Sequence, residues 1–260
     1  MKYFLKLIFL FLNIWNCSAQ TKTVNKNIKL ISLTYIHADT TKADNDQIVT
    51  YDYDEKQRIK SYTIKSEAFE STEHFFYEDG KISKIIWENS NAKWNSESIL
   101  KYNSEGQLIE LTKYNTGKSY SGDTQKNVFQ LKGFCITYLK HEKNKITSTL
   151  VSNYEVDNKI PDQVKVIHLD SNKNCTVTEY VSGFNNYQPP KCTYDNHYNP
   201  SNLIYPKYLL GYIEFRQGNK LTEGDNISYE YKYNHLGYPT EVKKFVSGKL
   251  KTTSFYTYSK

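Results

Sequence analysis

Apolar and polar side chains alternate with a period of two through much of this chain. Tyr229, Tyr231 and Tyr233 fall on one side of an extended backbone, and Ser228, Glu230 and Lys232 on the other. Tyr51 and Tyr53 oppose Asp52 and Asp54 in the same way. Such alternation belongs to strands with one buried and one solvated face. A recurring unit joins them: a Tyr, a short polar turn, then a resumed strand. It reads Tyr53-Asp54-Glu55-Lys56-Gln57-Arg58-Ile59 and again Tyr102-Asn103-Ser104-Glu105-Gly106-Gln107-Leu108. The third copy is Tyr233-Asn234-His235-Leu236-Gly237-Tyr238-Pro239, and Tyr77-Glu78-Asp79-Gly80-Lys81-Ile82 is one residue shorter. Leu169-Asp170 through Cys175 and Tyr194-Asp195 through Pro200 are degenerate copies. Tyr138 to Ile146 is a longer one, with Leu139 at the Asx position.

An Asp or Asn entering such a turn accepts a hydrogen bond from the backbone two residues on. A Gly near its exit takes positive φ at no steric cost, which marks Gly80, Gly106 and Gly237 as turn glycines. The early turns recur after 24 and 25 residues, room for two strands and two turns. After the N-terminal segment, no apolar pattern holds helical spacing for two turns, and Tyr, Thr, Ile and Val favour strands. The expected fold is all-β: a curved antiparallel β-meander of repeated hairpins, forming a half-barrel or a closed barrel. Asn115 to Asn127 and Asn185 to Pro190 read as loops and residues 20–27 as a loose lead. Residues 20–260 read as one domain.

The N-terminus changes the picture by setting a compartment. Lys2 and Lys6 give a positive start, Phe4 to Trp15 are mostly apolar, and Cys17-Ser18-Ala19 supply small residues for cleavage. This reads as a secretory signal peptide over residues 1–19, cut before Gln20. The run is too short and interrupted for a membrane span, so no transmembrane segment is expected after cleavage. The alternative, a lipid anchor on Cys17, is disfavoured by Trp15 and Asn16 where small residues belong. Export places the mature chain in the periplasm or outside the cell, where thiols pair. Of Cys135, Cys175 and Cys192, the shortest span joins Cys175 to Cys192 and leaves one thiol free.

Composition excludes more than it selects. The formal charge is +6, falling by two when the leader takes Lys2 and Lys6, and it is spread evenly. That is ordinary solubility, and export argues against a nucleic-acid partner. The six histidines form no HExxH; His37 with Asp39 and His197 with Asp195 sit in turn-like stretches where such residues belong anyway. Asp170-Ser171-Asn172-Lys173-Asn174 starts like a calcium loop, but Cys175 and Val181 stand where Gly and Glu are needed. No CxxC, GxSxG, P-loop or dinucleotide fingerprint is present, so no metal, cofactor or catalytic residue is assigned. Aromatic residues make up 15% of the chain, with 24 Tyr. Trp87 and Trp94 flank the polar turn Glu88 to Lys93 and are candidates for stacking on a sugar. The reading is a non-enzymatic binding or scaffold protein for a glycan or a protein partner. The alternative is a secreted hydrolase whose carboxylates come from distant strands.

The Tyr-Asp/Asn-x-x-Gly unit resembles the YD repeats of bacterial RHS-type proteins. The chain is more similar to a bacterial family of secreted or lipoprotein-like domains of unknown function with a porin-like β fold. Tyr194-Asp195-Asn196 with Asn199-Pro200 resembles its YDxxxNP element. Tyr229 to Asn234 with Gly237 to Val242 resembles its closing strand, turn and strand. The resemblance runs from about Gln47 to Tyr258 and implies a fold rather than an activity. It brings no catalytic residues. Short strands, with Lys84, Lys113, Lys243 and Lys244 read as outward-facing, favour a soluble curved sheet over a membrane pore.

Overall fold

The computed structural model describes residues 28–39, 46–90, 94–118, 128–130, 135–152, 163–171, 173–182, 190–210, 213, 216 and 218–259. The expected leader, the lead after it and most of the two expected loops lie outside these residues. Seventeen strands are described. They are β1 (Leu30–His37), β2 (Gln47–Tyr53), β3 (Ile59–Lys65), β4 (Glu70–Glu78), β5 (Lys81–Asn89), β6 (Trp94–Tyr102), β7 (Leu108–Lys118) and β8 (Val128–Gln130). Then come β9 (Cys135–Glu142), β10 (Lys145–Ser152), β11 (Gln163–Leu169), β12 (Cys175–Ser182) and β13 (Cys192–Tyr194). The last four are β14 (Lys220–Glu223), β15 (Ile227–Tyr233), β16 (Pro239–Val246) and β17 (Lys249–Tyr258).

All pairings are antiparallel, and most join consecutive strands into a meander. The exceptions are β7 with β9, which passes over the short β8, and β1 with β17, which brings the two ends of the chain side by side. The expected loop Asn115 to Asn127 begins later than the sequence suggests: residues 115–118 continue β7, with Thr116 opposite Asn95 and Gln130.

One turn geometry recurs. The first residue donates its N–H to the fifth residue's carbonyl, accepts the fourth residue's N–H on its own carbonyl, and accepts the fifth residue's N–H on its side-chain oxygen. Asn103 N donates to Gln107 O (3.0 Å), Gly106 N to Asn103 O (2.9 Å) and Gln107 N to Asn103 Oδ1 (2.9 Å). Asp54 with Arg58, Asp170 with Asn174 and Asn234 with Tyr238 repeat it. The fourth residue is left-handed in each: Gln57 (φ +65°), Gly106 (+78°), Lys173 (+62°) and Gly237 (+84°). Gly80, in the shorter unit, has φ +77°. Ahead of these turns the register slips by a residue, between Asp52 and Tyr53, Lys101 and Tyr102, His168 and Leu169, and Lys232 and Tyr233. Such a bulge adds twist and re-aims the side chain that follows.

Tyrosine hydroxyls cap the sheet, from Tyr53, Tyr77, Tyr102 and Tyr258 beside a register slip and from Tyr231 within β15. Tyr53 donates its hydroxyl to Leu30 O (2.9 Å), Tyr77 to Ile59 O (2.7 Å), Tyr102 to Ile82 O (2.7 Å), Tyr231 to Lys220 O (2.7 Å) and Tyr258 to Pro239 O (2.8 Å). Each acceptor lies two residues beyond the last ladder pair of its two strands, where diverging backbones leave a carbonyl without a strand partner. His141 Nε2 does the same for Leu108 O at 2.6 Å. Tyrosine is therefore used at the strand end because a rigid ring can carry a donor across the gap.

Two expected copies differ from this scheme. The Tyr138 unit has no Asx turn; β9 runs on to Glu142 and turns through Lys143-Asn144, with Lys145 opposite Glu142. The Tyr194 unit opens normally but does not close near Pro200. Asp195 N donates to Asn219 O (2.9 Å) and Asn219 N to Asp195 Oδ1 (2.8 Å), so residues 196–217 are an insertion inside the turn. Gly218 is needed at that closure, since a Cβ there would stand 2.0 Å from Asp195 O.

Among the described residues, helix occurs in the insertion: one α-turn, α1 (Ser201–Ile204), and a 3-10 turn at Lys207–Leu209. Asn199 Oδ1 accepts Ser201 N (3.0 Å) and Pro200 presets the first turn, a start signal too short to show as helical periodicity. Ile204, Leu209 and Leu210 share one core with Leu30, Ile59, Phe75, Ile82, Leu108, Ile146, Ile167 and Cys175. Strands from β1 to β12 thus reach one short segment, which requires the sheet to curve around it. Tyr208 accepts Ile82 N (3.1 Å), and Lys207 Nζ donates to Asn174 Oδ1 (2.9 Å).

Ion pairs cross neighbouring strands on the opposite, convex face. They include Lys60–Asp52 (3.5 Å), Lys65–Glu70 (3.6 Å), Lys101–Glu110 (2.8 Å) and Lys232–Glu241 (2.6 Å). Lys243 joins them at Glu241 (3.7 Å). Lys244, expected outward, faces inward with Val242, because adjacent strand residues point to opposite faces. Lys113 is inward too: its charge reaches the half-buried Glu73.

Candidate functional site

The pairing of β1 with β17 builds the most chemically distinctive concavity, a cleft of about 730 Å³ between the sheet and the insertion. β1 supplies Leu33, Tyr35 and His37; β2 supplies Gln47, Val49 and Tyr51; β3 supplies Tyr62 and Ile64. Tyr231, Lys244, Thr252 and Tyr256 come from β15 to β17, and Asn199, Ser201, Ile204 and Tyr205 from the insertion. Asn219 and Lys220 stand where the insertion returns to the sheet. The lining therefore combines aromatic rings, carboxamides and cations, with no carboxylate among the described residues.

Ring contacts fix this surface. Tyr51 and Tyr62 lie 6.0 Å apart, Tyr62 and Phe75 6.1 Å, and Phe75 meets Tyr205 edge-on at 6.2 Å. The sheet and the insertion are thus tied together through aromatic edges and faces. Burial raises the phenol pKa values of Tyr35, Tyr51 and Tyr256, with neighbouring phenols adding to the effect at Tyr51 and Tyr256. These hydroxyls stay protonated and neutral, able both to donate and to accept.

Charge on this side is arranged around Glu223. Its carboxylate accepts Lys220 Nζ at 3.0 Å and the Tyr229 hydroxyl at 3.2 Å, and the Lys220 bond draws its pKa below the ordinary carboxylate value. Lys244, opposite Tyr229 and Thr252 in register, has no ion pair among the described residues. On the neighbouring strand Glu73 stands beside Tyr62; burial raises its carboxyl, while the Tyr62 hydroxyl and Lys113 oppose the shift.

The residues singled out in the sequence fall elsewhere. Trp87 is half-buried on the concave face of β5, opposite Glu73 and Ser96. Trp94 heads β6 opposite Gly117, two positions from Ser96; its side chain lies outside the described residues. Neither lines the cleft. Cys135, Cys175 and Cys192 are not in disulfides. Cys175 Sγ lies 3.4 Å from Thr178 Oγ1 and Cys192 Sγ 3.4 Å from Pro190 O; both thiols act on the phenol of Tyr194. Asp195 and His197 do not converge on a shared point. The Asp195 carboxylate takes His197 N (2.9 Å), Asn219 N and the Tyr233 hydroxyl, while the imidazole stacks on Tyr233 at 3.9 Å. The cleft tyrosines carried no sequence signal beyond strand alternation, since the 24 Tyr are spread over many strands of this chain.

No family model matches the chain, and no curated protein sequence does. Its fold is similar to that of a porin-like protein from Bacteroides uniformis, at 14% identity over 89% of this chain and 96% of that one, with a TM-score of 0.37. A porin-like protein from Bacteroides vulgatus is similar at 11% identity over 90% and 99%, with a TM-score of 0.40. Likenesses at this level carry no activity or ligand across.

Proposed function

We propose that this chain is an exported, non-enzymatic carbohydrate-binding protein, and that its cleft holds an oligosaccharide. The observation that carries this is the lining itself: Tyr35, Tyr51, Tyr62, Tyr205, Tyr231 and Tyr256 beside Gln47, Asn199 and Asn219, on a rigid sheet. Sugars present apolar ring faces and dense hydroxyls, which such rings and carboxamides match. A volume near 730 Å³ lies within the usual range for small-ligand sites. Glycoside hydrolysis in most families needs two carboxyl groups flanking the scissile bond, and the described residues of this lining include none, which favours binding over cleavage. The charged convex face supports an aqueous setting, because lipid-facing strands need an apolar outer band. The leader over residues 1–19 supports export.

The test is a glycan array probed with residues 20–260, followed by calorimetry on hits. Tyr51→Ala should abolish binding while leaving the strand signal in circular dichroism. Hydrolysis of a bound oligosaccharide, or binding untouched by Tyr51→Ala, would refute the reading.

A further inference from the structure

We infer that the ligand of this cleft is an acidic oligosaccharide, a uronate-bearing chain whose carboxylate is met by Lys244. This rests on the carbohydrate reading above and deepens it. Lys244 lies on the inner face of β16, flanked by Tyr229 on β15 and Thr252 on β17. It lines the cleft together with Lys220 and His37. The nearby carboxylate, Glu223, already accepts Lys220 Nζ at 3.0 Å and the Tyr229 hydroxyl at 3.2 Å. The charge of Lys244 also reaches Glu223, and its Nζ lies 5.9 Å over the Tyr229 ring; two ammonium groups thus face one carboxylate, and one positive charge is left uncompensated.

A cation left over in a half-enclosed site selects an anion, since removal from water strengthens its attraction for an opposite charge. Glu223, the carboxylate that feels this charge, is already shared by Lys220 and Tyr229; no carboxylate is among the described residues lining the cleft, and the tyrosines there are held in their neutral form. A uronate fits both features: its carboxylate answers the ammonium, and its ring face and hydroxyls answer the tyrosines and carboxamides. A single lysine is a point charge, so it reads the presence of the anion rather than its planar geometry.

The experiment compares uronate oligomers (polygalacturonate, polyglucuronate and alginate fragments) with the same oligomers carboxyl-reduced to neutral sugars. Binding is measured by calorimetry at low and moderate salt. The wild-type protein should bind at least one uronate about tenfold more tightly than its reduced counterpart, with the gap narrowing as salt rises. Lys244→Gln should erase the gap and leave affinity for the reduced oligomer unchanged. Lys243→Gln, on the convex face, should keep the gap, and equal urea midpoints would confirm that both variants fold. Equal binding of charged and reduced oligomers, or a preference that survives Lys244→Gln, overturns the inference and leaves the carbohydrate reading standing. Failure of every oligomer, charged and reduced, overturns both.

Discussion

Replacing Tyr102 by Phe tests whether tyrosine hydroxyls cap the strand ends. The change removes one oxygen and keeps the ring, including its edge contact with Tyr208 at 5.7 Å. What is lost is the 2.7 Å bond to Ile82 O, at a half-buried strand end. An ordinary hydrogen bond contributes about 1 kcal/mol net, and a buried acceptor left bare costs about 1–3 kcal/mol. Ile82 is fully buried, so little water can reach the bared carbonyl, and the expected loss is about 1–3 kcal/mol. With an ordinary urea dependence, that lowers the unfolding midpoint by on the order of half a molar at unchanged slope. Tyr53→Phe breaks the corresponding bond to Leu30 O, and the double variant should lose the sum of the two, because the sites share no partner. Tyr138→Phe is the control: this side chain is 42% exposed on the convex face and should cost less than about 0.5 kcal/mol. If Tyr102→Phe unfolds with Tyr138→Phe, the hydroxyl caps nothing and the recurrence of these bonds is incidental to stability.

Three further outcomes are expected. Gly237→Val should cost about 1–3 kcal/mol by urea unfolding through backbone strain at φ +84°, since the nearest side-chain atom to the new Cβ, Tyr198 Cδ2 at 3.5 Å, leaves room. Gly237→Asn should cost less, and a Val variant with the parent midpoint would contradict the turn. Burial raises the phenols of Tyr53, Tyr194 and Tyr229 to about 12 from an ordinary 10.0, so their contribution to stability is whole below pH 10 and is lost as pH rises from 10 towards 12. Urea midpoints should hold to about pH 9 and fall beyond 10, with tyrosinate absorbance and loss of strand signal appearing together; ionisation of all tyrosines at pH 10 in a folded chain would refute this. Finally, if export brings Cys175 and Cys192 into a disulfide, thiol counting on secreted protein under denaturing, non-reducing conditions should find one thiol per chain, and three would refute the pairing.

Much of the fold was legible in the sequence because its rules are local. A five-residue turn at Asn103 or Asn234 closes on its own side chain, so the Asx and Gly positions can be read from neighbours alone. Period-two alternation likewise states which residues share a face within one strand. It does not survive a bulge, and adjacent lysines such as Lys243 and Lys244 must take opposite faces. Only the register of β16 against β15 and β17 decides which one enters the cleft. The turn at Asp195 shows the limit most clearly. Its first residue is recognisable, but its closing partner, Asn219, lies 24 residues on, across an insertion whose fit depends on the curved sheet that receives it. The cleft belongs wholly to tertiary structure. Tyr35 and Tyr51 from the start of the chain meet Lys244 and Tyr256 from its end only because β1 pairs with β17. Sequence determines the strands and their turns through short-range hydrogen bonds; closure of distant strands, which no local pattern encodes, determines the site.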